Sequence, residues 1–285
     1  MTLIIAINCK DGLVVASDSQ VTKGQFKETE YQKIYKISDN VLFAAAGSAS
    51  TIQDLKTILE RYKSDLSGEL SVDARQMIRK ELGDYIAAEM RMYHQTLMVG
   101  DKVALPMGPG GDPQMIPPHL SSSIILSIRS ENGSRKIWCI VPSHASNIML
   151  EDYAMVGNGS EFAETLIHKY NNKYYKLKDF DTVKASMVAY RIIQETADTS
   201  SYGIGGPIDI WIMNENGVKR LTPNDISVID QAVKQLVKDE AKLLYSGISL
   251  QELNEEGKQP GEHNTHLDKM LRDRVSPPKK SKAQR

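Results

Sequence analysis

The order in which strand-like and helix-like segments follow one another constrains this chain more than any other feature. Strand-like runs come in pairs around turn residues, and the pairs are separated by pairs of helical patterns. Residues 3–9 and 13–18 flank Asp11-Gly12, and residues 31–37 and 41–46 flank Ser38-Asp39-Asn40, so both stretches predict hairpins. A helix is expected from near Ser50, where Ser50 and Gln53 have capping-box spacing. Its apolar positions are Ile52, Leu55, Ile58, Leu59 and Tyr62; Ile78, Leu82, Tyr85, Ile86, Met90 and Tyr93 mark a second helix. Residues 121–129 and 136–141 then flank Asn132-Gly133, a strong hairpin signal. A short strand over 153–156 runs into Gly157-Asn158-Gly159-Ser160. Two helices follow, with faces Phe162/Leu166/Ile167/Tyr170 and Val183/Met187/Tyr190/Ile193. Residues 208–213 and 218–221 close the series around Asn216-Gly217.

Alternating β-α-β winding does not produce this order. It predicts an α+β protein in which antiparallel sheets stack face to face and helix pairs cover the outside. The first strands are apolar at successive positions, as a sheet buried on both faces requires. The stretch 100–119, with Pro106, Pro109, Pro113, Pro117 and Pro118, predicts a long surface loop inside a domain spanning 1–221. A helical extension over 222–253 is expected to start at Thr222, with Pro223 at the first helical position and Asp225 at the positive end. Its stripe is Ile226, Ile229, Val233, Leu236, Val237 and Leu244. Residues 254–285 are polar, end near Pro277-Pro278-Lys279-Lys280, and are expected to be disordered.

A net charge of -1 gives no reason to expect nucleic acid or an anionic membrane as a partner. No apolar run approaches transmembrane length or carries a cleavage-site pattern, and Cys9 and Cys139 lie inside apolar runs as free thiols would. These features predict a soluble cytoplasmic protein.

The chemistry centres on Thr2. If Met1 is removed, one residue carries both a hydroxyl nucleophile and a free α-amine, and the amine can serve as the base for its own side chain. Asp18 ends the second strand, Lys33 lies in the next hairpin, and Gly47 ends the small-residue run 43–48 before a helix. Each alone has a plain structural explanation: a turn cap, a solvated cation, a backbone glycine. Together they supply what amide hydrolysis needs. A cation favours the deprotonated nucleophile, a carboxylate keeps that cation charged, and a backbone N–H receives the oxyanion.

Thr2, Lys10-Asp11-Gly12, Ala16-Ser17-Asp18, Thr22-Lys23-Gly24, Lys33-Ile34-Tyr35-Lys36-Ile37 and Ala46-Gly47-Ser48 together resemble the proteasome β-subunit pattern. Gly157-Asn158-Gly159-Ser160-Glu161-Phe162-Ala163 and Gly205-Gly206-Pro207-Ile208-Asp209 continue it in order. The resemblance implies the four-layer αββα fold of N-terminal nucleophile hydrolases, a threonine-protease mechanism without metal or other cofactor, and assembly into a homo-oligomeric ring. Sister subunits, an ATPase unfoldase and protein or peptide substrates are the partners it implies. It assigns Thr2 as nucleophile, Asp18 and Lys33 as the activating pair, Gly47 as the oxyanion donor, and Ser160 as a retained serine of the later glycine turn. The main specificity pocket falls on Val21, Tyr31, Ala45, Ala49 and Gln53, where small residues leave room for a large uncharged side chain. The absence of a helical segment before the first strand resembles the β type of subunit.

The departures are specific. Asn158 stands where the family has a serine, and the Asp and Ser that precede its Gly-Gly pair fall on Ser201 and Ile204, with Asp198 three residues before Ser201. Two further readings follow. One is a catalytically silent ring or scaffold subunit, motivated by Ser201 and Ile204. The other is an acyl-transfer enzyme that passes the acyl group to an amine.

Overall fold

A computed structural model describes residues 2–23, 26–67, 72–97, 122–141, 146–173, 175–199 and 203–245. The loop expected over 100–119 and the tail over 254–285 lie outside the described residues, as do Met1 and Ser201. Residues up to Ile226 form one compact unit, and the last helix continues beyond it.

The first sheet contains β1 (Ile4–Cys9), β2 (Gly12–Asp18), β10 (Tyr153–Val156), β11 (Ile208–Asn214) and β12 (Gly217–Arg220), in the order β10-β1-β2-β11-β12. The second contains β5 (Ile34–Ser38), β6 (Val41–Ala46), β7 (Ser123–Arg129), β8 (Arg135–Val141) and β9 (Ser146–Leu150), in that order. Among the described residues all strand pairs are antiparallel. A small hairpin, β3 (Val21–Lys23) with β4 (Phe26–Glu28), stands apart.

Side-chain alternation explains the layers. Ile4, Ala6, Leu13 and Val15 of the first sheet meet Ile34, Leu42, Ala44 and Ile125 of the second in one apolar cluster. The other face of β6, Val41, Phe43 and Ala45, packs under α1 (Ala49–Arg61) and α3 (Val72–Leu97), which α2 (Lys63–Ser67) separates. Against the outer face of the first sheet lie α4 (Ser160–Ile167) and α5 (Thr182–Thr199). The result is the expected two-sheet sandwich with a helix pair on each side. Both faces of β1, β2 and β6 are buried, so each interior Val, Leu or Ile there contributes on the order of 1.5–3 kcal/mol.

The structure corrects several local expectations. The first hairpin turns at Lys10-Asp11, and Gly12 already belongs to β2, paired with Cys9. A Cβ on Gly12 would stand 2.6 Å from the Met213 carbonyl oxygen and 2.8 Å from Thr182 Cγ2, so glycine is there to admit β11 and α5. Asp11 accepts from Thr182 N at 2.7 Å, holding the first turn of α5 instead of shaping the hairpin. The capping box at Ser50 does not form. Ser48 is the N-cap of α1, and the Ser48 and Ser50 hydroxyls bond each other at 3.0 Å. β5 begins at Ile34, three residues later than expected, and β3, β4 and β9 were not anticipated.

On α4 the buried positions are Ala163, Leu166 and Ile167, whereas Phe162 is 39% exposed. On α5 they are Thr182, Ala185, Ser186, Val188, Ala189, Ile192, Ile193 and Thr196; of the expected face only Ile193 is among them, with Val183, Met187 and Tyr190 half-buried. A search for large apolar residues misplaces this face, because small residues are what let a helix approach a sheet closely. The last helix, α6 (Pro223–Tyr245), starts as expected: Thr222 N donates to Asp225 Oδ2 at 2.9 Å, and Asp225 N donates to Thr222 Oγ1 at 3.2 Å. Of its stripe, Ile229 and Val233 are buried, while Leu236 and Val237 are exposed.

Candidate active site

β2 delivers Asp18 to the end of the first sheet, and the segment entering β5 delivers Lys33 to the same place. Both side chains are buried, at 0% and 2% exposure, and Lys33 Nζ donates to Asp18 Oδ1 at 2.6 Å and to the Gln20 carbonyl at 2.8 Å. Asp18 Oδ1 also accepts from Leu3 N at 2.9 Å, and Oδ2 accepts from Gly205 N at 3.2 Å. The carboxylate therefore has three donors around it, which is how a buried charge is tolerated. Burial pushes the Lys33 pKa below its ordinary 10.5, and the Asp18 carboxylate opposes that shift.

Thr2 precedes β1 and is half-buried. Its carbonyl accepts from Gly159 N at 3.4 Å, while Leu3 on its other side is held to Asp18 through both backbone groups, Leu3 N to Oδ1 and Asp18 N to Leu3 O at 3.2 Å. The Gly157–Ser160 turn explains its own glycines. Gly157 has φ +100, and a Cβ there would overlap the Thr2 carbonyl oxygen; a Cβ on Gly159 would collide with Ile204 Cδ1. Ser160 opens α4, donates its N–H to Gly157 O at 3.0 Å, and lines a cleft of about 530 Å³ with Glu151, Tyr153 and Glu164. Gly47 links β6 to α1 and is exposed; its φ of +140 is a conformation that glycine, lacking a Cβ, adopts and a side chain would resist.

The expected specificity residues divide into two groups. Val21 and Tyr31 are half-buried, and Ala49 and Gln53 lie one turn apart on an exposed face of α1. Ala45 N donates to Lys33 O at 3.2 Å, but the Ala45 side chain is buried with Phe43, Ile52 and Leu55. At 1% exposure it is closed to a ligand in this conformation, contrary to the expectation that it leaves open space.

At the departures, Ile204 is 6% exposed and packed toward Gly159, and Asp198 is exposed in the last turn of α5. Sequence reasoning did not single out Gln20, which is 8% exposed and bonded to Gly203 and Gly205. The glycine cluster at 203, 205 and 206 is the signal that could have exposed this contact, because close backbone approach is what such clusters serve.

A family model described as "Proteasome subunit" matches residues 2–103, which include Thr2, Asp18, Lys33 and Gly47. A proteasome subunit beta of Methanobrevibacter smithii is 33% identical over 112 residues, covering 36% of this chain and 53% of that protein. The match to a proteasome subunit beta of Methanothermobacter thermautotrophicus is 23% identical over 233 residues, 79% of this chain and 92% of the relative. One from Ferroglobus placidus is 25% identical over 229 residues, 80% and 93% respectively. Identity is thus higher over a stretch spanning about half of the first relative and lower where the match runs nearly end to end.

Proposed function

We propose that the chain is a divergent proteasome β-subunit-like protein, and that it is a threonine-type peptidase subunit whose nucleophile is Thr2, freed by removal of Met1. One observation carries this reading. A single carboxylate oxygen, Asp18 Oδ1, binds both the Lys33 ammonium and the N–H of the residue that follows Thr2, so the cation and the N-terminal segment share one anchor.

The roles follow from chemistry. The Thr2 hydroxyl attacks a peptide carbonyl, and its proton passes to the freed α-amine, whose reference pKa is about 7.7–8.0. Lys33 favours the neutral, basic form of that amine by like-charge repulsion, and Asp18 keeps Lys33 protonated. Gly47 N–H receives the oxyanion. The amine half of the substrate leaves with the proton, and water then hydrolyses the threonyl ester. Val21, Tyr31, Ala49 and Gln53 line the approach for the substrate side chain, and Ala45 must shift to admit a deep one. Ser160 supports the turn that cradles the Thr2 carbonyl. The subunit works in a homo-oligomeric ring in the cytoplasm, fed by an ATPase unfoldase or flanked by sister subunits. Among the described residues no helix is long and apolar enough to cross a membrane.

Ile204, buried and apolar where the family pattern has a polar residue, favours a second reading as a silent ring subunit. Intact-mass analysis and a β-lactone that acylates threonine hydroxyls separate the two. The peptidase reading expects a chain lacking methionine, an adduct on the peptide beginning at Thr2, and loss of adduct and hydrolysis in Thr2→Ala with assembly unchanged. Substrate cleavage by protein that retains Met1 would overturn it.

A further inference from the structure

Segments far apart in the chain are stitched together behind the Asp18–Lys33 pair. Ser19 Oγ donates to Thr29 O at 2.6 Å, and Tyr31 N donates to Ser19 O at 2.9 Å. Gln20 does more. Its N–H donates to Gly205 O at 2.9 Å, its side-chain Nε2 donates to Gly203 O at 2.6 Å, and its carbonyl accepts from Lys33 Nζ at 2.8 Å. Gly205 N then returns to Asp18 Oδ2 at 3.2 Å. Asp18, Lys33, Gln20 and Gly205 therefore form a closed cycle of hydrogen bonds, and the Gln20 side chain tethers the strand of backbone that completes it. The fit is close: a Cβ on Gly205 would stand 3.0 Å from Gln20 Oε1, and Gly206, at φ +76, would meet Ser19 Oγ at 2.8 Å.

We propose that Gln20 is a positioning residue for the Thr2 reaction: its side-chain amide holds 203–205 in place so that Gly205 N–H stays on Asp18 and Lys33 keeps its position. Gln20 touches no substrate. It acts through Gly205 and Asp18 and, by its carbonyl, directly on the ammonium. At the departures from the family pattern, among the described residues, Ile204 offers no polar side chain and Asp198 faces solvent. The inference rests on the reading of Thr2 as nucleophile.

Gln20→Met keeps length and bulk but cannot donate to Gly203. Displacing a positioned group by a fraction of an ångström to an ångström costs on the order of 10–100-fold in rate. Acylation of Thr2 by the β-lactone should therefore slow by about that factor, with its pH midpoint displaced, while KM for a peptide substrate stays nearly unchanged. The Gly205 amide should exchange with solvent faster in the variant than in wild type. A merely structural role would lower thermal stability without moving the pH midpoint. Unchanged acylation rate and pH profile in a folded Gln20→Met protein would overturn the role of Gln20 and leave the Thr2 reading intact. Absence of acylation in wild type would overturn the Thr2 reading itself. If the variant does not fold, wild-type exchange decides: a Gly205 amide exchanging as fast as an open loop removes the tether on which the proposal stands.

Discussion

Lys33 Nζ stands 2.6 Å from Asp18 Oδ1, with both side chains withdrawn from solvent. A pair so deeply buried gains from its Coulomb attraction but forfeits the hydration of two ions, so its net contribution to stability is small. Leaving one partner behind is another matter, because the survivor is then an uncompensated charge.

Lys33→Met should accordingly destabilise the fold by about 3–5 kcal/mol, and Asp18→Asn by a comparable amount, while the double variant recovers much of the loss. Urea unfolding of the four proteins measures this. Additive losses would show that the two side chains are not energetically coupled.

The same pair predicts a pH dependence. The Lys33 pKa in the folded protein lies below its ordinary 10.5, chiefly because burial penalises the ammonium. The unfolded chain therefore binds more protons between the folded value and 10.5. The contribution is fully present above 10.5 and is lost as pH falls through the folded value. The stability difference between wild type and Lys33→Met should shrink across that alkaline window as pH is lowered, and a flat difference would exclude a depressed Lys33.

Lys33→Arg should fail to support hydrolysis. A guanidinium is planar and bulkier, and the space between Asp18 and the Gln20 carbonyl is set for one ammonium. Peptidase assays on assembled protein test this; retention of most activity would reduce Lys33 to a simple counter-ion.

Gly157→Ala should cost more than Gly159→Ala. The first places a Cβ on the Thr2 carbonyl at φ +100, and neither the backbone oxygen nor the dihedral can yield cheaply. At Gly159 the nearest obstacle is the far end of the Ile204 side chain, which can rotate. We expect a loss of about 2 kcal/mol or more at 157 and a smaller one at 159. Thermal unfolding of both variants checks the order, and equal losses would count against it.

Cys9 should resist alkylation in the native protein. Burial, reinforced by the Asp11 carboxylate, pushes its thiol up to about 12, and the S–H donates to the Gly12 carbonyl with Sγ 3.1 Å away. The reactive thiolate is therefore scarce near neutral pH. Iodoacetamide should modify Cys9 only on unfolding; rapid native labelling would mean that the first hairpin opens.

By itself the sequence determined most of the order of elements, β3, β4 and β9 excepted, and the two-sheet sandwich, because hairpin turns, two-residue alternation and helical period are local properties readable within a few positions. Thr2, Asp18, Lys33 and Gly47 stand out as candidates for a related reason: their types are the ones amide hydrolysis needs, at positions that resemble the family pattern. The tertiary structure decided everything that depends on segments meeting across the fold. Asp18 and Gly205, 187 positions apart, share a hydrogen bond that no local pattern announces. Gln20 reads as an ordinary polar residue until β2 and the 203–205 segment lie side by side. The buried face of α5 was misread because close approach of a helix to a sheet selects small residues, and Ala45 proved closed because α1 packs directly over it. Periodicity reports which residues can be buried together, whereas contact geometry, which only the folded chain possesses, decides which of them meet.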